Sequence, residues 1–322
     1  MNANEPKPPV IGSLGELLVE FVCLEQDGHN VRAAPYVGPF ASGAPGIFID
    51  QAARMGATTI FSGAVGDDAF GQVLRNRLES VDVANTLIRT IKGVPTGSAF
   101  VSYNKDGSRD FVFNIAHSAA AHFPTGQEAI AALLAAGITV FHISGSTLGN
   151  PAMCAAALEI CTALHAADVE ISFDPNVRKE LLGDPVYLAA VRQLTGIATY
   201  FLPSDDDAAV LFPGESFEDF STKLIASGVK YVVLKRGAIG STGRNADGTI
   251  LSVTAHKVDV LDPTGAGDCF CATFVASIVS GADFARALHL ANAAGALAVG
   301  KVGPMEGNST LADIKRFLEA QP

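Results

Sequence analysis

The sequence predicts an α/β protein: a mainly parallel central sheet with helices on both faces, and a small β-rich lid. Three observations predict it. From Gln127 onward, short continuous apolar runs alternate with helical patterns, the rhythm of a parallel sheet covered on both sides. Between Gly93 and Ala119 the pattern changes to strand-type alternation around Asn104-Lys105-Asp106-Gly107, a hairpin signal. Near the C-terminus a glycine-rich turn, Asp262-Pro263-Thr264-Gly265-Ala266-Gly267-Asp268, joins a β-branched run to an apolar helical pattern. Parallel sheets bind their ligands at such strand ends.

Val10-Ile11-Gly12 reads as a first strand and Glu16 to Phe21 as a second, partly exposed one. Residues 23–40 carry little pattern and read as irregular. Ser42 to Gly46 is a turn before a helix from Ile47 to Met55, which Gly56 closes. Thr58 to Ser62 is a short strand, and Gly63 to Asp68 reads as the cap of a helix over Ala69–Leu78. Ser98–Tyr103 and Asp110–Asn114 flank the hairpin turn. Helices then fall near 127–136, 152–167, 187–194 and 217–227, with strands near 139–143, 170–173, 200–202 and 230–234. Val253 to Leu261 reads as a strand stopping at Pro263, followed by a helix that ends at Ser280-Gly281. Asp283–Val299 and Thr310–Leu318 close the chain as helices. The expectation is one domain over residues 1–322, with a lid built from about 14–40 and 93–118. Lying over the carboxyl edge of the sheet, that lid would keep water from the site.

Composition narrows the function classes. Hydrophobic residues make 48% of the 322 and charged ones 17%, enough for a large core. A formal net charge of −11 argues against nucleic acid or an anionic membrane as partner. Met1–Pro9 is polar and Pro-rich without a signal-peptide apolar region, and no run is long enough to span a bilayer. Five cysteines show neither disulfide nor zinc spacing, which fits a reducing cytoplasm, and Cys154 and Cys161 read as core. The seven histidines contain no ligand pair at i, i+3 or i+4, so none is assigned to a metal; His117 lies near the lid.

The glycine-rich turn carries the chemistry. Gly265 and Gly267 let backbone N–H groups approach a ligand, and with the positive end of the helix they suit a phosphate. Asp268 follows in the first turn. A carboxylate beside a phosphate cradle binds phosphate poorly but accepts protons well, which suggests phosphoryl transfer to a hydroxyl. Such turns also serve as plain helix caps, and the heptapeptide alone is compatible with either reading. No Walker phosphate loop and no G-x-G-x-x-G occurs, so nucleotide binding rests on this turn and its neighbours.

The same turn resembles the C-terminal signature of the ribokinase-like (PfkB) carbohydrate kinases, and further matches in the expected order span nearly the whole chain. The resemblance implies a ribokinase-like fold and transfer of the ATP γ-phosphate to a primary hydroxyl of a free sugar, with Mg2+ and in some members a monovalent cation such as K+. It implies Asp268 as base and Gly265, Ala266 and Gly267 as the anion hole. Phe173-Asp174-Pro175-Asn176-Val177-Arg178 resembles a segment of fructokinase-like and ketodeoxygluconate kinases, implying that Arg178 faces the transferred group and Asn176 the sugar. Glu20, Ser42, Gly43 and Ser98 match sugar-facing positions. Lys235, Gly237 and Gly240 match the nucleotide strand and turn, and Asn292 the adenine pocket. Asp262 falls near the monovalent-cation site. Gly63 to Gly71 is a strong match with a structural role. In two places the chain departs from the family pattern. Ile47 stands where Asn is common, and Ser204 and Asp207 replace an Asn-x-x-Glu motif, so that the carboxylate for the magnesium–water shell is one methylene shorter.

A sugar phosphate would need a basic cluster for its own dianion, and the lid offers only scattered Arg32, Lys105 and Arg109. The expected acceptor is therefore a neutral sugar, and resemblance to one branch of the family implies a ketohexose such as tagatose or fructose. Residues 42–51, 111–118 and 303–307 resemble the tagatose-kinase branch. Three alternatives stand beside it: 2-keto-3-deoxygluconate with Arg178 as carboxylate clamp, an adenosine-type nucleoside stacked on Phe40, Phe100 or Phe113, and a non-catalytic sugar sensor. The family also implies a homodimer through the lid.

Overall fold

A computed structural model describes residues 9–106 and 108–320. β1 (Val10–Leu14) leads into β2 (Leu18–Cys23) and β3 (Tyr36–Ser42), and the chain enters α1 (Ala44–Arg54) with Pro45 in its first turn. Then come β4 (Thr58–Gly66), α2 (Ala69–Glu79), β5 (Ala84–Ile91), β6 (Gly97–Tyr103) and β7 (Arg109–Asn114). Regular alternation follows through α3 (Gly126–Ala135), β8 (Val140–Ser144), α4 (Pro151–Ala166), β9 (Glu170–Asp174), α5 (Pro185–Ile197) and β10 (Tyr200–Phe201). It continues with α6 (Asp205–Leu211), α7 (Phe217–Ala226) and β11 (Tyr231–Lys235), and then the hairpin β12 (Gly240–Asn245) and β13 (Ile250–Thr254). Helices α8 (Ala266–Val279), α9 (Phe284–Ala298) and α10 (Leu311–Glu319) complete the fold.

The central sheet has the order β13-β12-β11-β10-β9-β8-β1-β4-β5. All neighbours from β11 to β5 pair in parallel, and the β12–β13 hairpin adds two antiparallel strands at one edge. β8 and β9 are almost wholly buried, as is the Val232–Leu234 centre of β11, because both faces of the sheet are covered; the polar His142, Ser144, Ser172 and Asp174 are buried with them. One core lies on the side of α1, α8 and α9, the other on the side of α3, α4, α5 and α7. The chain leaves β1 toward β4 on one side and later returns to β8 on the other. The crevice for ligands therefore opens at the carboxyl ends around β1 and β8. A second sheet, β3-β2-β6-β7, forms the small lid. Among the described residues, no helix is long and apolar enough to cross a membrane. All five cysteines are free and buried.

Several elements depart from the sequence expectation. Tyr36–Ser42, within a stretch read as largely irregular, is lid strand β3; Gly38-Pro39 interrupts its alternation, and only Ala41 and Ser42 at its end are buried. The edge strand β5 was hidden by its polar Asn, Thr and Arg, and β12 by Gly240-Ser241-Thr242-Gly243. Gly63–Gly66 continues β4 instead of capping α2, and Asp68 alone makes the cap, accepting from the Gly71 amide. The run read as a strand to Leu261 ends at Thr254; Val260 and Leu261 are exposed, so their apolar character builds no strand. Ser204–Asp207 forms a reciprocal capping box for α6.

Candidate active site

At the carboxyl edge lies a cavity of about 550 Å³. Its floor comes from Glu16 in the β1–β2 turn, Leu18 and Glu20 of β2, the end of β3 and start of α1 (Ser42, Gly43, Ala44, Ile47), and the turn into α8 (Pro263, Thr264, Gly265, Gly267, Asp268). Asp174, Asn176, Val177, Arg178 and Lys179 after β9, with Ser204, Asp206, Asp207, Lys235 and Gly237, close the far side. Arg109, Phe111, Phe113 and Ile115 reach over it from the lid.

Gly265 has φ +83° and caps α8, so the first amides of the helix face the space beside Asp268. A Cβ at Gly265 would stand 2.4 Å from the Pro304 carbonyl oxygen, which fixes the turn against that loop and requires glycine. At Gly267 a Cβ would meet only the Lys235 ammonium, 3.7 Å away, so the backbone there borders open space. Phosphate oxygens fit such a cradle.

Asp268 is 9% exposed at the cavity wall. Burial, helped by the Asp174 and Glu16 carboxylates, raises its carboxyl to about 8, against the pull of Lys235 and Arg178. Behind it, Lys235 forms a buried ion pair with Asp174, and the Cys271 thiol lies 3.4 Å from the ammonium. Burial alone would pull the lysine down, but the Asp174, Cys271 and Asp207 groups hold its ammonium above the ordinary range. Asp174 in turn is pushed up by burial more than Lys235 lowers it.

At the lid end, Glu20 is 2% exposed; its Oε2 accepts from the Ser42 hydroxyl at 3.1 Å, while Oε1 has no partner within the described residues. Burial, with the Asp262 carboxylate, raises Glu20 to about 7. Glu16, which the sequence reading took as plain strand, is a second buried carboxylate in the wall, accepting from Thr147 at 3.1 Å. Its place immediately after Gly15, at a parallel strand's carboxyl end, was the available signal. Asp174, Phe111 and Arg109 were also not singled out as site residues. Phe111 and Phe113 stack at 5.1 Å, with the Arg109 and Arg178 guanidiniums 5.5 and 5.9 Å from their respective ring centres.

The structure brings most of the expected residues together and leaves some outside the cavity lining. Asn292 is 8% exposed, and its amide donates to Ser241 and the Leu288 carbonyl, tying α9 to β12. Ser98 accepts from Asn114 across the lid hairpin. Gly240 is packed against the β13 backbone, where a Cβ would stand 2.0 Å from the Val253 oxygen. Ala266 heads the helix without lining the space. Asp262 is fully buried beneath the turn. Asp207 lines the cavity, but its Oδ1 accepts from the Val177 amide and its Oδ2 from the Ser204 amide and hydroxyl, each at 2.7 Å. That leaves one of about four lone-pair positions. Among the described residues no group of three or more His, Cys, Asp or Glu side chains is arranged to hold a metal ion.

Residues 11–311 match the pfkB family of carbohydrate kinases. Fructokinase-2 of Zea mays is 29% identical over 318 residues, covering 94% of this chain and 92% of that protein. The 2-dehydro-3-deoxygluconokinase of Bacillus subtilis is 28% identical over 320 residues, covering 96% and 95%. A protein of E. coli provisionally assigned as ribokinase II is 36% identical, and its apo structure superposes with a TM-score of 0.91 over 97% of this chain and 100% of that one. The structure of the same assignment with ATP and Mg2+ gives 0.89 over the same coverage. With a match that spans nearly the entire sequence, and a cavity that gathers the signature turn, its aspartate and the lid, this chain belongs to the pfkB family of carbohydrate kinases.

Proposed function

We propose that the chain transfers the γ-phosphoryl group of ATP, with Mg2+, to a primary hydroxyl of a free ketohexose such as fructose or tagatose. The observation that carries this reading is Asp268 beside the amides at the start of α8, in a cavity roofed by the lid. Asp268 takes the proton from the attacking hydroxyl, and its raised pKa suits a base working near neutral pH. The amides of Gly265 and Gly267, which border the cavity, donate to the phosphoryl oxygens as charge builds there. Arg178 adds a positive charge facing the same space. Gly237, at φ +51° with nothing near its missing Cβ, allows nucleotide to approach the end of β11. Mg2+ supplies charge neutralisation on the nucleotide phosphates when bound, and the free lone pair of Asp207 with the exposed Asp206 offers acceptors to its water shell. Lys235 supports the site as Asp174's counter-charge.

Glu20, Glu16 and Ser42 form the polyol end. The Oε1 of Glu20, unpartnered among the described residues, is the acceptor left for a sugar O–H group. Arg109 and Arg178 line the cavity with no carboxylate in ion-pair contact among the described residues, which makes an acidic sugar such as 2-keto-3-deoxygluconate the second reading of this site. Of the rings available to a nucleoside, Phe113 faces the cavity, whereas Phe100 stacks on Phe21 and Phe40 packs beside Gly303. The exposed Val37 and Val112 of the lid would serve a homodimer through that sheet.

An ADP-release screen over ketohexoses, aldohexoses, 2-keto-3-deoxygluconate and adenosine tests the assignment. Turnover with a ketohexose is expected, and preference for the keto acid or the nucleoside by kcat/KM would overturn the substrate. Sugar binding by calorimetry without ADP release would favour a sensor. Glu20→Gln should raise the sugar KM by about 10-fold or more, the scale of one hydrogen bond to a charged acceptor. In the wild type that KM should fall as pH rises through about 7, where Glu20 ionises, and the dependence should vanish in the variant.

A further inference from the structure

The lid hairpin also touches the body away from the sugar end. Tyr103, the last residue of β6, donates its hydroxyl hydrogen to Oδ1 of Asp262 and lies 3.2 Å from Oγ1 of Thr264. Arg109, its partner across the strand pair, donates to the same threonine oxygen at 3.2 Å. Asp262 also accepts from the Thr264 amide on Oδ1 and from the Gly303 amide on Oδ2, each at 2.9 Å. A single fully buried carboxylate thus joins the lid, the cradle turn and the loop on which Gly265 rests.

A buried carboxylate is held in place by its donors, and removing one leaves a desolvated lone pair that draws the group toward other partners. Movement of Asp262 would carry the Thr264 amide with it, and Gly265 follows one residue later. Burial and the Asp262 charge push the Tyr103 phenol well above its ordinary range, so it remains a donor throughout the pH range of any assay. The geometry points to Tyr103 as a positioning residue: its hydroxyl transmits the seating of the lid, through Asp262, to the turn whose amides face Asp268. The kinetic consequence rests on the kinase reading, whereas the structural one stands without it.

Tyr103→Phe removes the hydroxyl and keeps the ring. In the full chain, hydrogen–deuterium exchange of the amides at 264–268 should quicken about tenfold, with β8 and β9 unchanged. In the kinase assay kcat should fall about tenfold while the KM for ATP stays within about twofold, because these amides act on charge formed in the transition state. Tyr103→Phe combined with Asp262→Asn should lose no more kcat than Asp262→Asn alone. Unchanged exchange at 264–268, an acceleration spread evenly over the body, or additive losses in the double variant would overturn the inference. If the wild type phosphorylates none of the sugars screened, the kinase reading fails and the exchange measurement alone judges Tyr103.

Discussion

Asp268→Asn is expected to lower kcat by about 10²–10⁴-fold, the usual worth of a positioned general base, or about 3–5.5 kcal/mol of barrier. The amide keeps the shape of the side chain and its place in the first turn of α8, so binding of sugar and nucleotide should change far less. Steady-state kinetics with the preferred sugar provide the check, and near-wild-type turnover would take Asp268 out of the mechanism. In the wild type, kcat/KM should rise with pH toward about 8, because the base must lose its proton before it can act. Stability should run the other way. The folded carboxyl titrates near 8 against an ordinary 3.8, so between those values the folded chain holds a proton that the unfolded chain releases. Stability therefore declines as pH rises through this window. Asn carries no such charge, so the variant should melt higher than the wild type, by a margin that widens from pH 4 to pH 8.

Lys235→Met should cost about 3–5 kcal/mol of stability, the scale for removing one member of a buried ion pair. The ammonium is 13% exposed and paired with Asp174, which is itself 3% exposed. Without it three carboxylates, Asp174, Asp207 and Asp268, share the same low-dielectric region with one fewer cation. Urea denaturation at pH 8 should show the full loss, and acidic pH a smaller one as Asp174 takes up a proton. Adding Asp174→Asn should recover part of it. A loss below about 1 kcal/mol would mean that the pair behaves as a surface contact.

Much of this architecture was legible in one dimension. Val140-Phe141 of β8 and Val232-Val233-Leu234 of β11 are apolar on both strand faces because both sheet faces are covered, whereas β9 carries Ser172 between its two apolar residues. Gly265 had to be glycine, since the helix begins there at positive φ against a carbonyl, and that need was readable as composition. What escaped had mixed or exposed faces. β5 and β12 lie at or near the sheet edges and tolerate polar residues, and β3 is broken by Gly38-Pro39. Periodicity is weak wherever burial is partial.

The sequence by itself determined the α/β alternation, the family signature and the aspartate at its end, because each follows from local burial pattern or a contiguous turn. Only the tertiary structure decided that Lys235 serves Asp174, that Asn292 ties a helix to a strand, and that Glu16 and Tyr103 reach the site region. Those roles depend on which groups meet across distant segments. A charge or amide is committed by its neighbours in space, and spacing along the chain carries no record of them.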